Sequence, residues 1–529
     1  MQIKQLLVRY KLVLICLGLF FLLFPLANSI GFIQNDEHTR YTLVTNFLAG
    51  NFTLDPYIST TFYTQGVLGA IFAFVFGLSK LSILTLVLSV ISFYFLVRTL
   101  KLIENPSFYK SVLLGLLLFF NPIFIYSTLG FMTEIYFLTF LIISFYFIQK
   151  YLSKSTSKNL LLVNLVIVVS YLARQVALIT SVAFLVTLLL RKNYKHFFIQ
   201  LFLTVSLGVF HFFVFPQTAQ MKVTQIGFSQ FKDSVFIFSI VAVVIIYLVA
   251  FFAPAIIAAL FSRDLITNKK YWLVTAFLAV VTFWFIQNHF DPLHIVFTYF
   301  NREGNRVFFG SSGVFPYFKN IFGREGFLAD DFEGTKYNFR GFFDLFRYWN
   351  LLGMILAPFG LALMLFKKKN YANFHFLYLV LYGGFLLVMP KIYDRYLLYM
   401  FPAFLLFLSP YITKSVKVLS AVFLPFLAFL VFLNYQYSMD FITVQNYVWK
   451  TAERLVSEKK ATPKEIRGGN SWQALHPNPK RDWKYFFSYD IEDDEEDKCC
   501  YKVFEEKKIE FPLSIYVDPK IRMHERVSE

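Results

Sequence analysis

Apolar stretches of roughly 16 to 22 residues recur from about residue 12 to about residue 435 of this chain, and no other feature restricts its fold as strongly. A hydrocarbon layer about 30 Å thick is crossed by helices of about that length. Within such a layer each backbone N–H and C=O must be paired inside its own segment, which dictates helix. With 57% hydrophobic and 20% aromatic residues and a mean hydropathy of +0.57, the 529-residue chain carries more apolar surface than a water-soluble core can hide. The sequence therefore predicts an all-α polytopic integral membrane protein. The opening MQIKQLLVRYK and the apolar run behind it could pass for a secretory signal. That run reaches Ile33 and many more follow, so it is read as a retained first helix.

A formal charge of +17 would suggest nucleic acid if it were spread evenly. It is not: residues 436–529 hold 16 Lys+Arg against 18 Asp+Glu, leaving 34 against 15 for residues 1–435. The basic excess belongs to the apolar part, and no nucleic-acid partner is expected. The basic loops RTLKLIENPSFYK (98–110), QKYLSKSTSK (149–158), RKNYK (191–195), SRDLITNKK (262–270), KKKNYANFH (367–375) and TKSVK (413–417) alternate with turns poorer in Lys and Arg, such as STLGFMTE (127–134). By the positive-inside rule the basic set is cytoplasmic. The spans are read as about 12–33, 81–97, 111–127, 135–150, 159–173, 175–190, 197–214, 235–261, 271–287, 348–366, 375–390, 396–412 and 416–435. These thirteen crossings make 1–435 the transmembrane domain and place 436–529, the C-terminal extramembrane segment, outside. DEHTRYTLVTNFLAG (36–50), with Tyr41, Val44 and Leu48 on one face, reads as an interfacial helix, and the short, Gly-broken FYTQGVLGAIFAFVFGL (62–78) as a second outer surface helix. Two large outer segments, about 215–234 and 288–347, complete the layout.

Smaller signals carry less. Cys499 and Cys500 are adjacent and cannot bridge each other without a strained ring, and Cys16 lies inside the first helix. NHFDPLH (288–294) offers His289, Asp291 and His294, but Pro292 interrupts any single helical face and a solvated loop is the simpler reading. Asn51-Phe52-Thr53 fits a glycosylation acceptor, a match that chance supplies equally well. The tail runs from a helix-like stretch into RGGNSWQALHPNPKRDW and an acidic DIEDDEEDK, read as a solvated patch or a small outer domain that assists acceptor binding.

Asp36 and Glu37 directly after the first helix, Glu134 in GFMTEIYF, Arg174 in YLARQVAL and KIYDRYLLYMFP (391–402) near the end together resemble the GT-C glycosyltransferases. The likeness covers the layout of about 30–435. DEHTRY is similar to the aminoarabinose transferase and protein O-mannosyltransferase groups. The stretch from Asp36 to Gly66 is similar to the dolichol-linked alpha-1,2-glucosyltransferase, with Thr61 and Phe62 standing where that enzyme has a Pro pair. The resemblance implies a GT-C-like fold and transfer of a sugar, with inversion, from a polyprenyl (undecaprenyl or dolichyl) phosphate donor to a glycan, lipid or protein acceptor at the outer, periplasmic or lumenal face. It also implies that the first acid of the pair, Asp36, is the base.

The residue types suit that chemistry on their own terms. A lipid phosphate is already a weak base when it leaves, so one carboxylate near the acceptor hydroxyl suffices, contributing on the order of 10² to 10⁴ in rate. The departing phosphate calls for cations. Asp36, Glu37 and Glu134 are the candidate catalytic acids, and Arg174, Lys391 and Arg395 the candidate donor-phosphate contacts. Each has a plain structural reading: a helix-start acid for Asp36 and Glu37, an N-cap and first-turn acid for Thr133 and Glu134, a snorkelling side chain for Arg174, a local ion pair with Asp394 for Arg395. No cofactor is identified, and a divalent cation is left open. The competing expectations are a flippase or transporter of lipid-linked sugar or polysaccharide, which would carry ionisable groups near mid-span, and a surface polysaccharide polymerase or ligase. The membrane is the bacterial inner membrane, or that of the endoplasmic reticulum in a eukaryote.

Overall fold

The computed structural model describes residues 2–34, 37–54, 61–104, 107–213, 234–289, 321–323, 326–328, 332, 345–366, 372–389, 392–489, 500–508 and 520–527. The chain is mainly helical. Among the described residues five helices are long and apolar enough to cross a membrane, or seven if each of two bent pairs counts as one span, and five more apolar helices are 10–17 residues long. This is a helical membrane protein.

In chain order the first ten helices are α1 (Gln2–Asn28), α2 (Glu37–Leu48), α3 (Tyr63–Phe76), α4 (Leu81–Glu104), α5 (Phe108–Phe119), α6 (Pro122–Thr128), α7 (Thr133–Ser153), α8 (Ser157–Ala173), α9 (Ala177–Leu190) and α10 (Tyr194–Phe213). Ser234–Phe251, Ala253–Leu260, Lys269–His289, Leu345–Leu365, Phe374–Val388, Phe401–Leu408 and Val416–Ser457 follow, with short pieces between them.

Three expected rods are not straight. The run 111–127 is α5 and α6, bent by 69°. Pro122 has no N–H to continue the ladder, and Asn121 Oδ1 instead accepts the Ile123 N–H at 3.0 Å, starting a new helix. The run 235–261 breaks by 75° before Ala253, with Pro254 in the first turn of the second piece. The run 396–412 resolves into Asp394–Leu397, a turn, Phe401–Leu408 and a short 3₁₀ turn. In the opposite sense, the helix expected to end near 435 runs on as one 42-residue rod, Val416–Ser457. At 1.5 Å per residue it is roughly 63 Å long, about twice a hydrocarbon layer, so the position 435 falls inside a helix.

Hydroxyl pairs knit the centre of the bundle. Ser89 meets Thr128 and Ser92 meets Thr139, each at 2.8 Å, and Thr85 meets the Tyr136 hydroxyl at 3.4 Å. The α4 and α7 partners advance together along both helices, which therefore run parallel. Such bonds matter in lipid, where burying apolar surface between helices gains little.

Among the described residues, buried charged groups lie towards the two ends of this bundle. Glu134 starts α7 and Tyr151 lies near its end, roughly 25 Å away by helical rise. At the Tyr151 end, that hydroxyl lies 2.6 Å from His196 Nδ1 and accepts Asn193 Nδ2 at 2.8 Å. There too the fully buried Lys110 ammonium donates to the carbonyls of Ser409 and Ile412 at 2.7 and 2.9 Å.

Beyond the bundle, Ile466–Arg467, Tyr485–Ser488, Lys520–Arg526 and Tyr501–Lys508 form a four-stranded sheet in that order, with the first pair parallel and the others antiparallel. His524 stacks on Phe486 at 4.4 Å and its Nε2 meets Ser488 Oγ at 2.9 Å. The sheet is tied to the long last helix by the Tyr447 hydroxyl and Arg454, both on Glu505. Trp472 of the short helix Asn470–Leu475 packs edge-on against Trp449. Cys500 is disulfide-bonded and Cys16 is a buried free thiol, which of the three cysteines leaves Cys499 as the partner, contrary to the expectation for that adjacent pair. Cys499 and the acidic run 490–498 lie outside the described residues.

Candidate functional site

The helix α2 buries a face that carries charge. Glu37, Arg40, Leu43, Val44 and Phe47 point inward, while Leu48, on the apolar face expected to lie in the interface, is 41% exposed. A charged face can be buried because each charge meets a partner prepared for it.

Glu37 is a fastener. Its Oε2 accepts the Gln34 N–H at 3.0 Å and its Oε1 accepts the Phe131 N–H. Burial pushes its carboxyl up to about 8, against the opposing pull of those two N–H groups and of Arg40. The close approach depends on Gly130, where an added Cβ would stand 1.7 Å from Gln34 Oε1 and 2.1 Å from Glu37 Oε1. The Gln34 amide is itself buried, and among the described residues neither of its side-chain polar atoms has a hydrogen-bond partner.

One turn on, Arg40 Nε donates to Thr133 Oγ1 at 2.7 Å, Thr133 donates to Gln65 Oε1 at 2.8 Å, and Gln65 Nε2 donates to the Phe131 carbonyl at 2.8 Å. Thr133 is therefore not the N-cap it resembles; the cap position of α7 is Met132, and Thr133 links α2 and α3 to α7.

Next to Thr133, Glu134 is 2% exposed and holds the centre of the cluster. Its Oε1 lies 3.4 Å from Arg174 Nη1 and 3.7 Å from Arg395 Nε, while its Oε2 accepts no hydrogen bond. Arg174, in the extended residue that ends α8, does not snorkel. Its Nη1 also donates to the Tyr399 hydroxyl, and its guanidinium lies 5.2 Å and 5.3 Å from the rings of Tyr396 and Tyr399. Arg395 lies over Tyr393 at 5.1 Å and Tyr396 at 6.0 Å. Tyr396 thus stands against both guanidinium groups.

The local pair expected between Arg395 and Asp394 takes another form. Asp394 accepts the backbone N–H groups of Ile321 at 3.0 Å, Phe322 at 2.7 Å and Arg395 at 2.6 Å, pinning the segment 321–322 beneath the cluster. Burial pushes the Asp394 carboxyl up to about 7, with the same three N–H groups and Arg395 drawing it down.

Three of the six candidate site residues, Glu134, Arg174 and Arg395, therefore meet directly, and Glu37 joins them through Phe131 and α7. Asp36 and Lys391 lie outside the described residues, as do Asp291, His294 and most of the two large outer segments. Among the described residues no group of three His, Cys, Asp or Glu side chains is placed to hold a metal ion. Arg40, Gln65 and Tyr399 are members that the sequence reading did not select. Only Arg40 left a signal there, three residues after Glu37 and so on the same helical face. Chemically, two guanidinium groups beside one carboxylate offer N–H donors to an anion. No protein-family model, curated protein or solved structure matches the chain.

Proposed function

We propose that this chain is a multi-pass membrane glycosyltransferase of GT-C type that moves a sugar from a polyprenyl phosphate to an acceptor hydroxyl at the outer, periplasmic or lumenal face. The observation that carries the reading is the Glu134–Arg174–Arg395 cluster, held at one end of an apolar bundle and joined by Glu37 to the segment that contains Asp36. Carboxylates and guanidinium groups buried together at one end, opposite the basic loops, suit a reaction at one membrane face better than passage through the middle.

In this reading the acceptor oxygen attacks the anomeric carbon from the face opposite the lipid phosphate, and the bond from that carbon to the phosphate oxygen breaks with inversion. Asp36 takes the acceptor proton. Arg174 and Arg395 receive the phosphate, and Lys391 adds a third positive charge near it. Glu134 keeps the two guanidinium groups beside each other. Glu37 is buried and accepts two N–H groups, so it holds the loop in place and leaves the base role to Asp36.

The test is transfer of labelled sugar from a polyprenyl phosphate donor by purified protein in vesicles. Asp36→Asn should bind the donor and lose transfer at least about 10²-fold. Arg395→Ala should lose both donor binding and transfer, with Arg395→Lys between it and wild type because a lysine keeps the charge without the planar fork. Wild-type-level transfer in both Asp36→Asn and Arg395→Ala would remove the reading.

A further inference from the structure

Arg174 ends a helix and starts a turn, a place where a long side chain ordinarily moves freely. Here it is 17% exposed and held on several sides. Tyr399 accounts for much of that restraint. It is 1% exposed, its ring is packed edge-on against Phe137 at 4.7 Å, and its hydroxyl accepts from Arg174 Nη1 while the ring flanks the guanidinium. The same Nη1 faces Glu134, so the tyrosine and the carboxylate take one edge of the fork between them. The rest of the fork stays in the fraction that remains exposed.

We propose that Tyr399 is the positioning residue for Arg174, fixing its guanidinium so that the unoccupied edge meets the phosphate of the lipid donor. The proposal rests on the glycosyltransferase reading of the same cluster. Tyr399 touches no substrate in this arrangement and acts only through Arg174. Its ring alone would supply packing; its hydroxyl supplies direction.

The experiment is equilibrium binding of undecaprenyl phosphate to full-length protein in lipid nanodiscs. Four forms are compared: wild type, Tyr399→Phe, Arg174→Ala and the double variant, with a thermal melt of each. Tyr399→Phe keeps the ring and its contact with Phe137, so its melting midpoint should stay near wild type. Its Kd should rise roughly tenfold, the equivalent of a hydrogen bond to a charged group at the low end of its range. In the Arg174→Ala background the same change should do nothing further, because the group it positions has gone. Arg174→Lys gives a second measure that leaves Tyr399 intact: the ammonium cannot span Tyr399 and Glu134 as the fork does, and Kd should rise again. A Tyr399→Phe variant that binds as wild type overturns the proposal, as does a tenfold effect that persists without Arg174. Failure of wild type itself to bind undecaprenyl phosphate sinks the glycosyltransferase reading and this inference with it, an outcome distinct from the other two.

Discussion

The two ends of the bundle bury polar groups around different charges. At the Tyr151 end, the Lys110 ammonium bonds two carbonyls, and Tyr151, Asn193 and His196 bond one another. These groups hold helix ends in register. At the Glu134 end, guanidinium groups crowd around one carboxylate oxygen while the other accepts nothing, and among the described residues the Gln34 amide is buried without a hydrogen-bond partner. An unbonded buried polar atom costs about 1–3 kcal/mol. Among the described residues, unbonded buried atoms occur at the Tyr151 end too, at the Ser409 hydroxyl and both ring nitrogens of His375, so the ends differ in charge rather than in satisfaction: one ammonium on neutral carbonyls at one end, two guanidinium groups around a carboxylate at the other.

The sharpest way to break this comparison is Gly130→Ala, because Glu37 fastens the chain at the Glu134 end. A methyl group there would collide with Gln34 and Glu37, forcing Glu37 off the Phe131 N–H. Overpacking and the lost bond together should cost about 3 kcal/mol, and undecaprenyl phosphate binding should fall with the melting temperature. A variant that melts as wild type would show that Glu37 fastens nothing. Next in size is Lys110→Met, which takes the charged donor from the Ser409 and Ile412 carbonyls. We expect a loss of about 2 kcal/mol on thermal melting with unchanged lipid affinity in the folded protein; a changed affinity would mean that the ends are not separable. The smallest effect should come from Arg454→Ala on the outer sheet. Its ion pair with Glu505 spans 3.1 Å between side chains 50% and 34% exposed, so salt and water leave it below about 0.5 kcal/mol. A larger loss would show that the pair anchors the sheet to the last helix.

The helical membrane class was legible because apolar runs are a property of composition and length, which need no tertiary information. Breaks in the runs were less legible. Pro122 and Pro254 were visible, yet a proline inside an apolar run can kink a span, end it or be tolerated, and only neighbouring helices decide. Of the site, Glu134, Arg174 and Arg395 stood out as charges at the edges of apolar segments. Gln65 and Tyr399 did not, since a glutamine and a tyrosine in such places are ordinary residues until the fold brings them to a charged partner. The buried face of α2 was not legible for a related reason: apolar spacing does not show that Glu37 and Arg40 turn inward to partners on other segments.

The long last helix has a consequence for the order in which the chain can mature. Asn446 accepts the Gly31 N–H at 2.9 Å and donates to the Ser29 carbonyl at 3.0 Å, partners 415 and 417 residues earlier. Synthesis from the N-terminus releases Ser29 and Gly31 early and Asn446 near the end. The stretch leading to Gln34 and Glu37 is therefore clasped only after nearly all the other helices exist. Nascent chains halted before Asn446 lack this clasp on Ser29 and Gly31.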